Sequence, residues 1–274
     1  MPVIIDGTNG VNTPNTFAFK NRLINAQLLI NQRGVSGTVT LSAGAYGHDR
    51  FKAGASGCTY TFATTNNVTT LTITAGSLQQ VIEGLNLESG TYTLSWTGTV
   101  QGKIGAGSYG ASGITGSITG GTNTTIEFNT GTLSLPQLEV GSTATSFDYR
   151  PYGTELALCQ RYFQLFGSIS TPATNVMLGG AMATSSTGGM AVIGLVQELR
   201  SSPSLTFSST ASAFRVVNST DSSIACNAVP TANILGNKAI RVSFGVASGL
   251  TAGNATILFG DTSNPAWIGV SSEL

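Results

Sequence analysis

The sequence predicts an all-β protein, two antiparallel β-sandwich domains of jelly-roll-like type joined by one short α-helix, and three observations predict it. Short apolar runs with a two-residue alternation recur along the chain, separated by turn signals. Glycine contributes 35 of the 274 residues, and Ser and Thr recur throughout, which suits sheets with tight turns and a hydroxyl-rich surface. Only residues 146–166, SFDYRPYGTELALCQRYFQLF, carry a convincing helical pattern.

In chain order, residues 1–20 read as an extended arm, broken by DGTNG and NTPNT. Residues 21–34, NRLINAQLLINQRG, fit either a short helix or a turn followed by a strand, and the second is preferred. The runs TVTLSA, YTFATT, TLTITA, QVIEGL, TYTLSWTGTV, GITGSITG, TTIEFNT and GTLSLPQLEV then supply about eight strands, so residues 21–150 form the first sandwich. Within it Tyr92, Leu94 and Trp96 share the inward face, opposite Thr91, Thr93 and Ser95. Residues 167–274 repeat the style, with Ile240, Val242, Phe244 and Val246 inward and Arg241, Ser243 and Gly245 outward.

The linker helix, residues 151–166, is expected to begin with Thr154 as N-cap, with Glu155 in its first turn and Arg161 in its last. Gln160, Arg161 and Gln164 form a narrow polar stripe, and the remaining circumference is apolar, so the helix must be covered on most sides. Leu158, Tyr162 and Phe163 are the candidate subunit-interface residues.

Twelve basic and twelve acidic residues cancel and no basic stripe is present, which removes the electrostatic footprint of a nucleic-acid or anionic-membrane binder. No apolar run approaches the roughly 18 residues of a membrane span, so no membrane insertion is expected. MPVIIDGTNG lacks a basic n-region and an apolar h-region, so the expectation is assembly in the cytoplasm. Cys58, Cys159 and Cys226 are odd in number and without CxxC spacing, as suits buried, reduced thiols. With only 9% charged residues, little repulsion keeps copies apart, and a permanent homo-oligomer is the natural expectation.

Gly105, Gly107 and Gly110 have dinucleotide-loop spacing, but ASGITGSITGG follows where the phosphate-binding helix should start, so a glycine-rich β loop is expected. His48 is the single histidine, which rules out His-rich metal sites, and beside Asp49 and Arg50 its expected role is structural. No two carboxylates are visibly paired as a glycosidase requires, and no Asp-rich calcium loop is present. The expectation is therefore a non-enzyme with no catalytic residue, no cofactor and no metal.

The stretches NRLINAQLLINQRG, GAYGHDRF, LPQLEVGSTATSFDYRPYGTELALCQRYFQ, ELRSSPSLTF and WIGVSSEL, in that order, give a resemblance to phage virion proteins. These are the tail-fibre and head-fibre proteins that carry a carbohydrate-binding-like jelly roll. The resemblance implies a structural protein of the virion, a short fibre or appendage on tail or capsid. It also implies a homotrimer, attachment to other virion proteins through the N-terminal arm, and recognition of host surface polysaccharide. The alternatives are a purely architectural head-fibre or decoration protein and, more remotely, a polysaccharide depolymerase. Glu139 lies in the QLEVG motif, where an architectural role is expected. Aromatic faces on hydroxyl-rich surfaces are the usual equipment for sugar binding, so Tyr109, Trp96 and Trp267 are the candidate glycan-binding residues, each weighed against core packing.

Overall fold

A computed structural model describes residues 4–6, 10–12, 19–169, 176–261 and 263–274. The protein is all-β, with antiparallel sheets and, among the described residues, one α-helix. It divides into two compact units. The first takes residues up to Ile30 and Val35–Glu155, and the second takes Asn31–Gly34 and Leu156–Leu274. The attachment arm expected over residues 1–20 lies largely outside the described residues; within it, β1 (Ile4–Asp6) pairs with β2 (Gly10–Asn12).

The first unit contains β3 (Val39–Leu41), β4 (Lys52–Thr65), β5 (Val68–Ile82), β6 (Gly90–Gly98), β7 (Gly102–Ile104), β8 (Ile114–Ile118), β9 (Thr124–Phe128) and β10 (Gly131–Val140). The hairpin β4–β5 organises it. The first half of β5 pairs with β10 and its second half with β9, so one strand serves both layers. The change of layer occurs at Gly57 and Gly76, which take φ of +80° and +70°. A Cβ on Gly76 would sit 2.0 Å from the Gly57 carbonyl oxygen, a crossing only glycine permits. Tyr92, Leu94 and Trp96 face the core beside Tyr60, Leu71 and Phe128, as their alternation predicts.

The second unit packs a three-stranded sheet, β11 (Phe163–Gly167), β20 (Trp267–Ser271) and β14 (Ser204–Phe207), over a seven-stranded one. The larger sheet runs in the order β16 (Ser223–Ala225), β15 (Phe214–Val217), β19 (Ala255–Gly260), β12 (Met177–Ala183), β13 (Gly188–Gly194), β18 (Ala239–Gly245), β17 (Thr231–Leu235). Ile240, Val242, Phe244 and Val246 face its core, together with Ile268 and Val270 from the smaller sheet.

Several expectations fail locally, among them Thr154 as N-cap and Arg161 in the last turn, since Thr154 lies inside the helix and Arg161 beyond its end. The helix α1 spans Tyr152–Gln160, and Phe163–Gly167 is strand β11, paired from Phe163↔Ser271 to Gly167↔Trp267. Tertiary pairing overrides the helical pattern there, and the aromatic residues of QRYFQLF suit a strand as well as a helix. Gln164, assigned to a polar helix stripe, is instead buried: its amide donates to the Gln160 and Gln197 carbonyls and accepts from the Val196 N–H. Tyr162 and Phe163 are buried, so as candidate subunit-interface residues they are withdrawn, while Leu158 on α1 is half-buried.

Residues 21–34, expected as turn and strand, form turns and irregular backbone with no ladder. Side chains supply the missing hydrogen bonds. Asn21 Oδ1 accepts from Leu23 and Leu138 N–H groups, and Gln80 brackets Ile24 from both sides. Asn25 accepts from Ile30 N–H and donates to the Ile30 and Asp49 carbonyls. At the centre lies a buried ion pair, Arg150 Nη1 to Glu155 Oε1 at 3.1 Å, with Arg150 Nη2 donating to the carbonyls of Leu23 and Asn21.

Removing one partner of such a pair strands the other, which costs roughly 3–5 kcal/mol, whereas replacing both by apolar residues of similar volume is often near neutral. Arg150→Met is therefore expected to destabilise the first unit on that scale in chemical denaturation. Arg150→Met combined with Glu155→Leu should cost less than the sum of the two single variants, since the charges are removed together while the backbone groups of Asn21, Leu23 and Asn25 stay unpaired. Strictly additive losses would contradict the pairing.

Candidate functional site

The register of the first unit sets four polar side chains in one lateral row. Lys52 pairs with Gln79, Gln79 with Glu127, and Glu127 with Lys103, across β4, β5, β9 and β7. Directly paired residues share a face, so this row points away from the core, while its neighbours Ala53, Leu78 and Phe128 point into it. The row is about 14 Å wide, three interstrand spacings of ~4.8 Å.

Glu127 is its hub. Oε2 lies 2.9 Å from Lys103 Nζ, and Oε1 accepts from Ser77 Oγ at 2.6 Å. Burial pushes the Glu127 carboxyl up, but hydrogen bonds from Ser77, Lys103, Tyr109 and Gln79 outweigh it and hold the group below its usual range. Gly54 makes room: a Cβ there would sit 2.1 Å from Ser77 Oγ. The loop after β7 leads into strand β8, not a helix, so it is the glycine-rich β loop expected, and it brings Tyr109 over the row. Tyr109 is 37% exposed, its ring centroid lies 4.9 Å from Lys103 Nζ, and burial followed by the contact with Glu127 pushes its phenol up to about 12. At the opposite end, Lys52 Nζ lies 6.0 Å from the ring of Tyr46. The arrangement is an open strip of fixed charges and amides with an aromatic ring at each end. It presents hydrogen-bonding groups and ring faces to an extended polar ligand.

The other glycan candidates lie elsewhere. Trp96 is 7% exposed, donates its indole N–H to the Val100 carbonyl at 3.2 Å and packs edge-on against Phe128. It fills the core on the opposite face from Tyr109 and is withdrawn as a stacking platform. Trp267 is half-buried in β20 of the second unit. Lys103, Glu127, Gln79 and Lys52 were not singled out from the sequence, because the signal that unites them is register between strands far apart in the chain.

The remaining candidates are architectural. Glu139 is fully buried and accepts from Gln137 Nε2, the Thr145 N–H and Thr145 Oγ1, which pins the turn after β10. Cys58, Cys159 and Cys226 are buried and free of disulfides, and burial pushes the thiols of Cys58 and Cys226 up to about 11 and 12. His48 is 2% exposed, with Nδ1 3.0 Å from the Tyr60 hydroxyl and its ring edge-on to Phe62. No protein-family model matches the chain, and no curated protein matches its sequence.

Burial lowers the His48 imidazole from 6.5 to about 4, so the folded state holds it neutral while the unfolded chain protonates it. Its contribution is fully present above pH 6.5 and is lost as pH falls from 6.5 towards 4, by on the order of 3 kcal/mol. Urea denaturation across that window is expected to show this slope in the wild type and a flatter one in His48→Phe. An unchanged slope in the variant would remove His48 as the cause.

Proposed function

We propose that the chain is a structural protein of a phage virion, a short homotrimeric fibre or appendage, and that the Lys52–Gln79–Glu127–Lys103 row with Tyr109 binds host surface polysaccharide. The single observation that carries the binding reading is the preorganised strip itself. A carboxylate is fixed by several donors, an ammonium lies under a partly exposed phenol, and the whole is laid out along one face of the sheet. Polysaccharides are long and hydroxyl-rich, and they are held by ring-face contact and shared hydrogen bonds along an open surface. The virion reading is supported by the resemblance of the five sequence stretches and by the all-β architecture. The sparse charge and the resemblance support the homotrimer.

A depolymerase is not favoured at this strip. Glycosidases use two carboxyl groups, one with a raised pKa as general acid, whereas Glu127 is held below the usual range. The architectural alternative draws on a different observation: Asn21, Asn25, Arg150 and Glu155, all in the stretches that carry the resemblance, build interior contacts and none of the strip.

Binding to a panel of purified bacterial surface polysaccharides is expected for the wild type. Tyr109→Ala should weaken it at least tenfold, about 1.4 kcal/mol, with the melting temperature unchanged, and Lys103→Met should weaken it as much while lowering the melting temperature, since Glu127 loses its ammonium partner. Absence of binding to the whole panel and to intact host cells would leave the architectural reading in its place.

A further inference from the structure

The outer face of the seven-stranded sheet is apolar where a solvated sheet should be polar. Antiparallel sheets with one face on the core normally alternate apolar inside and polar outside. Here one lateral row reads Ser223, Val217, Ile257, Gly180, Val192, Arg241, Ile234 across all seven strands. The rows on either side add Phe259 and Met177, and Met182 and Met190. Met177 is 67% exposed, Val192 56%, Ile234 54% and Met182 46%, so four of the largest exposed apolar side chains of the second unit lie on one surface. A groove of about 610 Å³ opens at its β15–β19 end, floored by Val217, Ile257 and Met177. At the centre, a Cβ on Gly180 would meet nothing within 4 Å, which leaves a shallow socket.

Charge is confined to the two ends of this face. At the β15–β16 end, Asp221 and Asp261 flank the groove with Arg215, whose Nη1 lies 3.5 Å from Asp261 Oδ1. At the other end, the Arg241 guanidinium hydrogen-bonds to the Asn233 amide oxygen. One end is net acidic and the other basic, so the face is complementary to a copy of itself laid with its ends reversed. Its extent is adequate. Seven strands at ~4.8 Å span about 29 Å, and with strands of about 20 Å the face is about 600 Å², or roughly 1,200 Å² over two partners, within the range of specific interfaces.

We infer that two copies of this chain associate face to face through the outer face of the seven-stranded sheet, the Arg241 end of each meeting the Asp221–Asp261 end of the other. A self-complementary face makes a two-fold contact, so the inference rests on the homo-oligomer part of the reading above and not on its threefold form. It names a surface in place of Tyr162 and Phe163, which are buried.

The test is sedimentation equilibrium of the full chain at micromolar concentrations. The wild type is expected to be oligomeric. Val192→Glu and Ile234→Glu, at exposed positions that tolerate a charge, should raise the dissociation constant at least tenfold, whereas Leu85→Glu, on an 85% exposed residue of the first unit, should leave it unchanged. Arg241→Asp should weaken association, and adding Asp221→Arg should recover it. Circular dichroism and melting check that each variant is folded. A wild-type oligomer with unaltered mass in Val192→Glu and Ile234→Glu would overturn the surface and leave the homo-oligomer reading intact. A wild-type monomer would overturn both, and a wild-type dimer would overturn the trimer while supporting the surface. Failure of the charge swap to restore association would overturn the proposed end-to-end orientation.

Discussion

The first unit depends on the buried pair Arg150–Glu155. The segment around residues 21–30 enters the core without joining a sheet, so each of its backbone polar groups needs a partner from elsewhere. Arg150 provides two donors to the carbonyls of Asn21 and Leu23, and Glu155 accepts the Asn25 N–H. Those contacts link residues separated by more than a hundred positions, and they close the two ends of the unit on each other. Glu155 also lies in the first turn of α1, where the helix dipole favours a negative charge. A lone buried arginine would be costly, and the carboxylate with two backbone carbonyls is what makes it tolerable.

A second node of the same kind stands in the other unit. Arg33 Nη2 lies 3.2 Å from Glu273 Oε1 and its guanidinium stacks 3.8 Å over the Phe163 ring. Gln32 donates to the Phe163 carbonyl, and Arg200 donates to the Ser272 and Glu273 carbonyls. The participating residues come from NRLINAQLLINQRG, ELALCQRYFQ, ELRSSPSLTF and WIGVSSEL, the stretches on which the resemblance rests. Their shared content is thus architectural: they specify how irregular segments and chain ends are tied into two sandwiches. Of the strip, Tyr46 lies in the remaining stretch, GAYGHDRF, whereas Lys52, Gln79, Lys103, Tyr109 and Glu127 lie outside all five, so most of the strip is encoded apart from the residues that tie the fold together.

Much of the fold was legible because strand alternation is a local property. Tyr92, Leu94 and Trp96, and Ile240, Val242, Phe244 and Val246, face the core as their spacing requires. What local pattern cannot carry is the partner. QRYFQLF is compatible with a helix until the C-terminal strand is known to pair with it, and NRLINAQLLINQRG is compatible with a strand until its hydrogen bonds are traced to side chains. Tyr109 could be identified from its glycine-rich loop, but Glu127 and Gln79 acquire meaning only through register. The run GMAVIGLVQEL is apolar on both faces, and only the sheet order shows that Val192 points outward.

The low charge of the chain acquires a physical consequence from these placements. Asp49, Arg50, Glu83, Glu139, Arg150 and Glu155 are buried, out of only twelve basic and twelve acidic residues. Part of a small complement of charge therefore fixes the interior and does nothing to keep copies apart in solution. Over the same chain, one unit displays a polar strip and the other an apolar sheet face. An uncovered apolar face lowers its free energy when it is covered, whereas a strip of charges and amides gains nothing from losing its contact with water. The two units thus differ in what their surfaces favour, burial on the apolar sheet face and hydration on the charged strip.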